Sequence, residues 1–212
     1  EANGKLYVSM LDNNWYWDTD SFILVIDAAT YAVDATIPLG YSGLLKLDEA
    51  HNRLYAYTVN GLTSIDTSSR AVLGTLDISG LMGGGLVAGI SLNPVTGELV
   101  FGNLHYDKFL IVNGPTLTPE LISVAGSRGR AGGWNHLENK IYITKVAWDG
   151  YFIYDRDTGA SQTTTCINDG TSVFFSSATN RAFTSAEVNE DTTVIEGATD
   201  ACQNIEMPQG GL

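Results

Sequence analysis

Short apolar runs, each entered through a polar turn, recur along the whole chain. The clearest are Leu6-Tyr7-Val8 after Ala2-Asn3-Gly4-Lys5, Leu54-Tyr55-Ala56 after Ala50-His51-Asn52-Arg53, and Leu99-Val100-Phe101 after Val95-Thr96-Gly97-Glu98. Ile141-Tyr142-Ile143 after Leu137-Glu138-Asn139-Lys140 and Ala182-Phe183-Thr184 after Ala178-Thr179-Asn180-Arg181 complete the set. Runs this short, rich in β-branched and aromatic residues and bounded by turn formers, predict strands and not helices.

Each run is followed by a second strand that ends in an acid or amide, with a hydroxyl three residues on: Asp27 and Thr30, Asp66 and Ser69, Asn113 and Thr116, Asp155 and Thr158, Glu196 and Thr199. Asp and Asn side chains accept hydrogen bonds from backbone amides just downstream, so these anchors predict turns between antiparallel strands. Their recurrence in every unit speaks against reading any one of them as a catalytic carboxylate. An inner strand precedes each pair at residues 44–47, 87–92, 131–134 and 172–176, and an outer strand follows at 32–37, 71–76, 117–124, 160–166 and 202–207.

Four short strands in a unit of about 40 residues predict an all-β β-propeller of four-stranded blades. About five blades are expected in a single domain over 1–212, at approximately 1–40, 41–80, 81–126, 127–170 and 171–212. The first starts at its second strand, so an inner strand is missing from it. The chain is thus expected to be an incomplete ring, a fragment of a larger one or one completed by another chain, with a closed five-bladed ring as the alternative. Open strand edges invite association.

The stretch GKLYVSM…SFILVIDAATYAVDATIPLG resembles the YVTN-type β-propeller repeat of bacterial and archaeal surface proteins. The resemblance is strong over residues 4–40, moderate over 41–126 and weaker beyond, where Phe152-Ile153-Tyr154-Asp155 and Thr193-Val194-Ile195-Glu196 keep only the strand and turn pattern. It implies the fold well and function poorly, since such repeats occur in binding proteins, scaffolds and redox-enzyme subunits.

Composition changes the picture in one respect. With 24 acids against 11 bases the formal net charge is −13, a surface that repels nucleic-acid phosphates and anionic membranes. No apolar run is long enough to insert in a bilayer, and the first residues lack the basic and apolar regions of a signal peptide. The Thr, Ser and Tyr content tilts the expected location to a secreted, periplasmic or cell-surface one, any export signal having been removed.

Loops joining second to third strands share a face with the crossovers to the next inner strand. That face collects Trp15, Tyr16, Trp17, His105, Tyr106 and Trp148, with Arg128 and Arg130 from a crossover. Exposed aromatics beside hydrogen-bonding groups suit a glycan, a small ligand or a protein partner; alternatively, the first-loop aromatics fold back over their own blade. Asp12, Asp18 and Asp20 make Ca²⁺ a weak candidate, without the EF-hand spacing. No other cofactor is expected. His51 and His136 fall on the opposite face from His105, which argues against a shared metal site, and Trp134 reads as core.

Cys166 and Cys202 permit one disulfide. Cys166 sits late in one outer strand and Cys202 early in the next, an offset of roughly 16 Å at ~3.3 Å per residue, so a bridge requires an irregular last blade. Three functions compete: a non-enzymatic extracellular binding or scaffold propeller, a subunit of a periplasmic or extracellular redox or hydrolytic enzyme, and a repeat unit of a surface layer or filament that joins copies through open edges.

Overall fold

The protein was analysed as a computed structural model, which describes residues 4–10, 21–40, 43–58, 61–83, 87–145, 150–165, 170–186 and 192–205. Strands β1 (Lys5–Met10), β2 (Ser21–Asp27) and β3 (Val33–Gly40) form a three-stranded sheet, sheet 1. Sheet 2 consists of β4 (Leu44–Asp48), β5 (Arg53–Thr58), β6 (Gly61–Asp66) and β7 (Val72–Leu76). Sheet 3 consists of β8 (Val87–Leu92), β9 (Glu98–Asn103), β10 (Lys108–Asn113) and β11 (Thr118–Ser123). Sheet 4 holds β12 (Gly129–Asn135), β13 (Lys140–Lys145), β14 (Tyr151–Asp155) and β15 (Ser161–Thr164), and sheet 5 holds β16 (Gly170–Ser176), β17 (Arg181–Ala186), β18 (Thr192–Glu196) and β19 (Cys202–Ile205). Within every sheet the strands pair antiparallel in chain order.

Two backbone positions in each unit explain why the strands end where they do. The residue before the second strand is left-handed in all five units, at Gly4, Asn52, Gly97, Asn139 and Asn180, and each is one of the two residue types that tolerate this conformation best. The second position lies four residues after each anchor, at Tyr31, Arg70, Leu117, Gly159 and Asp200. Gly159 adopts this conformation freely and Asp200 occasionally, whereas Tyr31, Arg70 and Leu117 adopt it against their preference. Asp27, Asp66 and Asp155 act as predicted: Asp27 Oδ1 accepts from the amides of Ala29 and Thr30 at 3.1 and 2.9 Å, Asp66 Oδ1 from those of Ser68 and Ser69 at 3.0 and 2.7 Å, and Asp155 Oδ1 from those of Asp157 and Thr158, both at 2.9 Å; the Glu196 carboxylate pairs with Arg181 at 2.8 Å. The hydrogen bond from the Lys5 ammonium to Asp27, followed by those from the Thr30 amide and hydroxyl, holds the Asp27 carboxyl well below the usual carboxylate range.

Successive sheets pack face to face through apolar side chains. Ile23, Val25 and Ile37 of sheet 1 meet Leu54, Ala56 and Ile65 of sheet 2, and Tyr55 and Leu62 of sheet 2 meet Leu99, Phe101, Leu110 and Val112 of sheet 3. Phe109 of sheet 3 lies 6.1 Å from Phe152 and 5.2 Å from Tyr154 of sheet 4, ring centre to ring centre, beside the buried Trp134. Tyr142 and Ile153 of sheet 4 meet Val173 and Ile195 of sheet 5. The first strands β4, β8, β12 and β16 also lie against one another in succession, which places them innermost. One short helix not expected from the sequence, α1 (Ile78–Leu81), sits in the crossover from sheet 2 to sheet 3, where Asp77 caps it by accepting from Gly80 N at 2.9 Å. Among the described residues no helix is long and apolar enough to cross a membrane.

Candidate functional site

The loop between β9 and β10 carries the best-defined chemistry. Asn103 ends β9 fully buried, and its carbonyl oxygen accepts from the amides of His105 at 2.8 Å and Tyr106 at 3.0 Å. Its amide nitrogen donates to Met82 O at 3.3 Å, which ties the loop to the crossover that follows α1. A buried side-chain amide with both ends occupied fixes a backbone far better than an exposed one. The loop is therefore held from beneath.

A second crossover holds it from the side. Arg128 Nε donates to Leu104 O at 2.5 Å, and the Arg128 amide donates to Asp107 Oδ1 at 3.2 Å. Above this frame the Tyr106 ring is half exposed, at 49 %. The Lys108 ammonium sits 4.9 Å from its centre, and the His105 ring meets its edge at 6.3 Å and 82°. The result is an aromatic ring with a cation over it and an imidazole at its edge, on a loop whose backbone Arg128 and Asp107 brace. This arrangement suits stacking and hydrogen bonding, since a ring face attracts cations and the C–H edges of sugars while the guanidinium takes a planar anion.

Of the residues singled out in the sequence, His105, Tyr106 and Arg128 come together here. Arg130 lies one turn of pairing away, inside β12 opposite Thr144, and its carbonyl accepts from Thr144 Oγ1 at 3.3 Å. Trp15, Tyr16, Trp17 and Trp148 lie outside the described residues, as do the Ca²⁺ candidates Asp12, Asp18 and Asp20. Among the described residues no cluster of metal-ligating side chains occurs. His51 bonds to the buried Asp48 at 2.8 Å, and His136 packs on the edge of Phe175 at 5.4 Å. The three histidines thus serve three separate places.

Cys202 is disulfide-bonded, and Cys166, the only other cysteine of the sequence, lies outside the described residues.

Two side chains that matter at this site were not marked in the sequence. Asn103 follows the anchor pattern, an Asn closing an apolar run before a tight turn, and that signal was available. Lys108 carried none, because its role depends on the ring two residues before it.

No family model and no curated protein matches it. Among solved structures, one described as dihydro-heme d1 dehydrogenase NirN in complex with DHE superposes with a TM-score of 0.70 at 16 % identity, over 98 % of this chain and 45 % of that one. A mitotic checkpoint complex superposes with a TM-score of 0.75 at 13 % identity, over 97 % of this chain and 62 % of that one. The matched chains are propellers. The fold is of the β-propeller type. At these identities the likeness carries the fold alone, and this chain spans only about half of one matched chain and three-fifths of the other.

Proposed function

We propose that this chain is a non-enzymatic binding or scaffold propeller, secreted or displayed at a cell surface, whose five sheets are five blades of a ring-type arrangement. The observation that carries the reading is the Tyr106 ring, half exposed yet on a loop fixed by Asn103 below and by Arg128 at Leu104 O, with the Lys108 ammonium over its face. Keeping a ring in water on a rigid frame is how binding surfaces reduce the entropy lost on contact. The resemblance of the first unit to the YVTN-type repeat supports a surface protein. The disulfide at Cys202 supports an oxidising compartment.

The partner such a surface fits is an acidic glycan or an acidic protein segment, stacking on Tyr106 with its carboxylate on Arg128. Calorimetric titration with neutral and uronic-acid oligosaccharides and with acidic peptides tests this. The wild-type chain is expected to bind from the acidic set, with Tyr106→Ala and Arg128→Ala each weakening binding roughly tenfold or more. Binding that is equal for neutral and acidic ligands, or unchanged in both variants, contradicts the reading. The redox-subunit reading draws on the likeness to NirN, solved in complex with DHE, and among the described residues no side chain favours it specifically.

A further inference from the structure

At three of the four junctions between successive sheets a long side chain closes the outer rim, and the fourth leaves a pocket. The start of the second strand and the outer strand of one sheet meet the anchor turn of the next sheet there. Between sheets 1 and 2, Lys5 takes Asp27 at 2.8 Å and Asp34 at 2.5 Å, and Arg70 of sheet 2 comes within 3.8 Å of Asp34. Between sheets 2 and 3, Leu117 lies against Gly74. Between sheets 3 and 4, Arg156 spans Glu98 at 3.3 Å and Glu120 at 2.6 Å.

Sheet 5 supplies no such side chain to sheet 4. Gly197 stands where Arg156 stands, just after the anchor, and Asp200 stands at the left-handed position of Arg70 and Leu117. Asp200 is short and reaches only the Lys140 ammonium at 2.8 Å and the Gln162 amide at 2.7 Å. A pocket of about 240 Å³ remains, lined by these three residues, by Asp155 and Ser161, and by the apolar Ile153 and Ala160. Its polar groups are only partly engaged among the described residues. Lys140 gives one N–H to Asp200 and one to Gly197 O at 3.1 Å, which leaves a third. Gln162 gives one N–H to Asp200 and keeps a second, with its carbonyl oxygen. Asp155 takes its turn amides on Oδ1 and keeps Oδ2, and Ser161 adds a hydroxyl.

We propose that the pocket between sheets 4 and 5 binds a single neutral sugar ring, hydrogen-bonded by Lys140, Asp155, Ser161 and Gln162. Donors and acceptors are mixed around a small apolar wall. A hydroxyl both donates and accepts, so neighbouring hydroxyls of one ring satisfy such a set while its C–H face covers Ile153 and Ala160. A cation in the pocket meets the Lys140 ammonium and an anion meets the two carboxylates, so charge favours neither. The volume falls below the roughly 300 Å³ of the smallest drug-sized sites and suits one ring. The walls are held in advance: Lys140 and Asp200 are 13 % and 11 % exposed in their ion pair, and Cys202, two residues on, is disulfide-bonded. Walls fixed before contact reduce the entropy lost on binding. The pocket lies at the anchor end, away from the Tyr106 loop, and does not depend on the ligand proposed there.

Amide NMR spectra of the whole chain, titrated with glucose, galactose and mannose and with methylammonium and acetate as charged controls, test the proposal. At least one of the sugars is expected to shift the amides of Lys140, Ser161, Gln162 and Asp200 saturably, with a dissociation constant of about 1 mM. The charged controls should leave them in place. Gln162→Ala, at an exposed position, and Asp200→Gly, which copies the left-handed Gly159 of sheet 4, are each expected to weaken binding roughly tenfold. The same spectra show whether each variant is folded. Tyr106→Ala should leave the sugar titration unchanged, which separates this site from the loop. The proposal is overturned if no sugar gives a saturable shift, if a charged control binds in its place, or if the shifts map to the Tyr106 loop. Binding unchanged in both pocket variants overturns it as well.

Discussion

The two ends of the sheets follow different rules. At the anchor end every unit repeats the same turns, with left-handed residues at fixed positions and ion pairs such as Arg53 with Asp66 at 3.1 Å and Arg181 with Glu196 at 2.8 Å. At the loop end, where the corresponding loops of the other four units lie outside the described residues, the β9–β10 loop is fixed by Asn103 to Met82 O and Arg128 to Leu104 O. Repetition marks what the fold requires. Departure from repetition is where a binding surface has room to develop.

Breaking the anchor end should cost the most. Gly114 is closed in by the Tyr55 hydroxyl and by Gly97 O, so Gly114→Val is expected to destabilise the chain by about 3 kcal/mol, read from urea unfolding. If the two ends are independent, any ligand of the Tyr106 surface should still bind the folded fraction unchanged. Next in size is the support beneath the loop. Asn103→Ala leaves Met82 O and two loop amides without their partner in a buried setting and is expected to cost ~2 kcal/mol. It should also loosen the loop, visible as faster amide exchange at His105 and Tyr106.

The pH dependence separates the ends without touching the core. The carboxyls of Asp27, Asp66 and Asp155 all lie below their ordinary value. For Asp27 the main cause is the Lys5 ammonium, for Asp66 the Ser69 amide and for Asp155 the Thr158 amide. A depressed folded-state value means that their stabilisation is present above the unfolded value of about 3.9 and is lost as pH falls below it. The urea midpoint should therefore decline below about pH 4. Asp→Asn at positions 66 and 155, copying the Asn113 of unit three, should flatten that decline while keeping the turns, because the amide oxygen accepts the same bonds.

The smallest effect is a gain. Tyr31 is left-handed and 75 % exposed, so Tyr31→Asn should stabilise the monomer by up to about 1 kcal/mol, raising the melting temperature.

The strand order and the anchors were legible in the sequence because the units repeat. A strand written once is ambiguous, and five aligned copies such as Leu54-Tyr55-Ala56 and Ile141-Tyr142-Ile143 are not. What could not be read were contacts that cross between units. Nothing local shows that Arg156 answers Glu98 and Glu120, or that Leu117 and Arg70 occupy left-handed positions against their usual preference. Of the site, His105, Tyr106 and Arg128 were found by sorting residues by loop, whereas the buried support of Asn103 and the ammonium of Lys108 emerged only with the geometry.

The central claim is that successive units pack face to face in chain order about shared innermost strands. Proton–proton NOE spectroscopy on chain with labelled aromatic side chains tests it most directly. The account predicts cross-peaks between Tyr57 and Phe101, whose rings lie 5.5 Å apart, between Phe109 and Tyr154 at 5.2 Å, and between His136 and Phe175 at 5.4 Å. Absence of all three in the folded chain, or ring contacts joining sheets that are not successive, would contradict it.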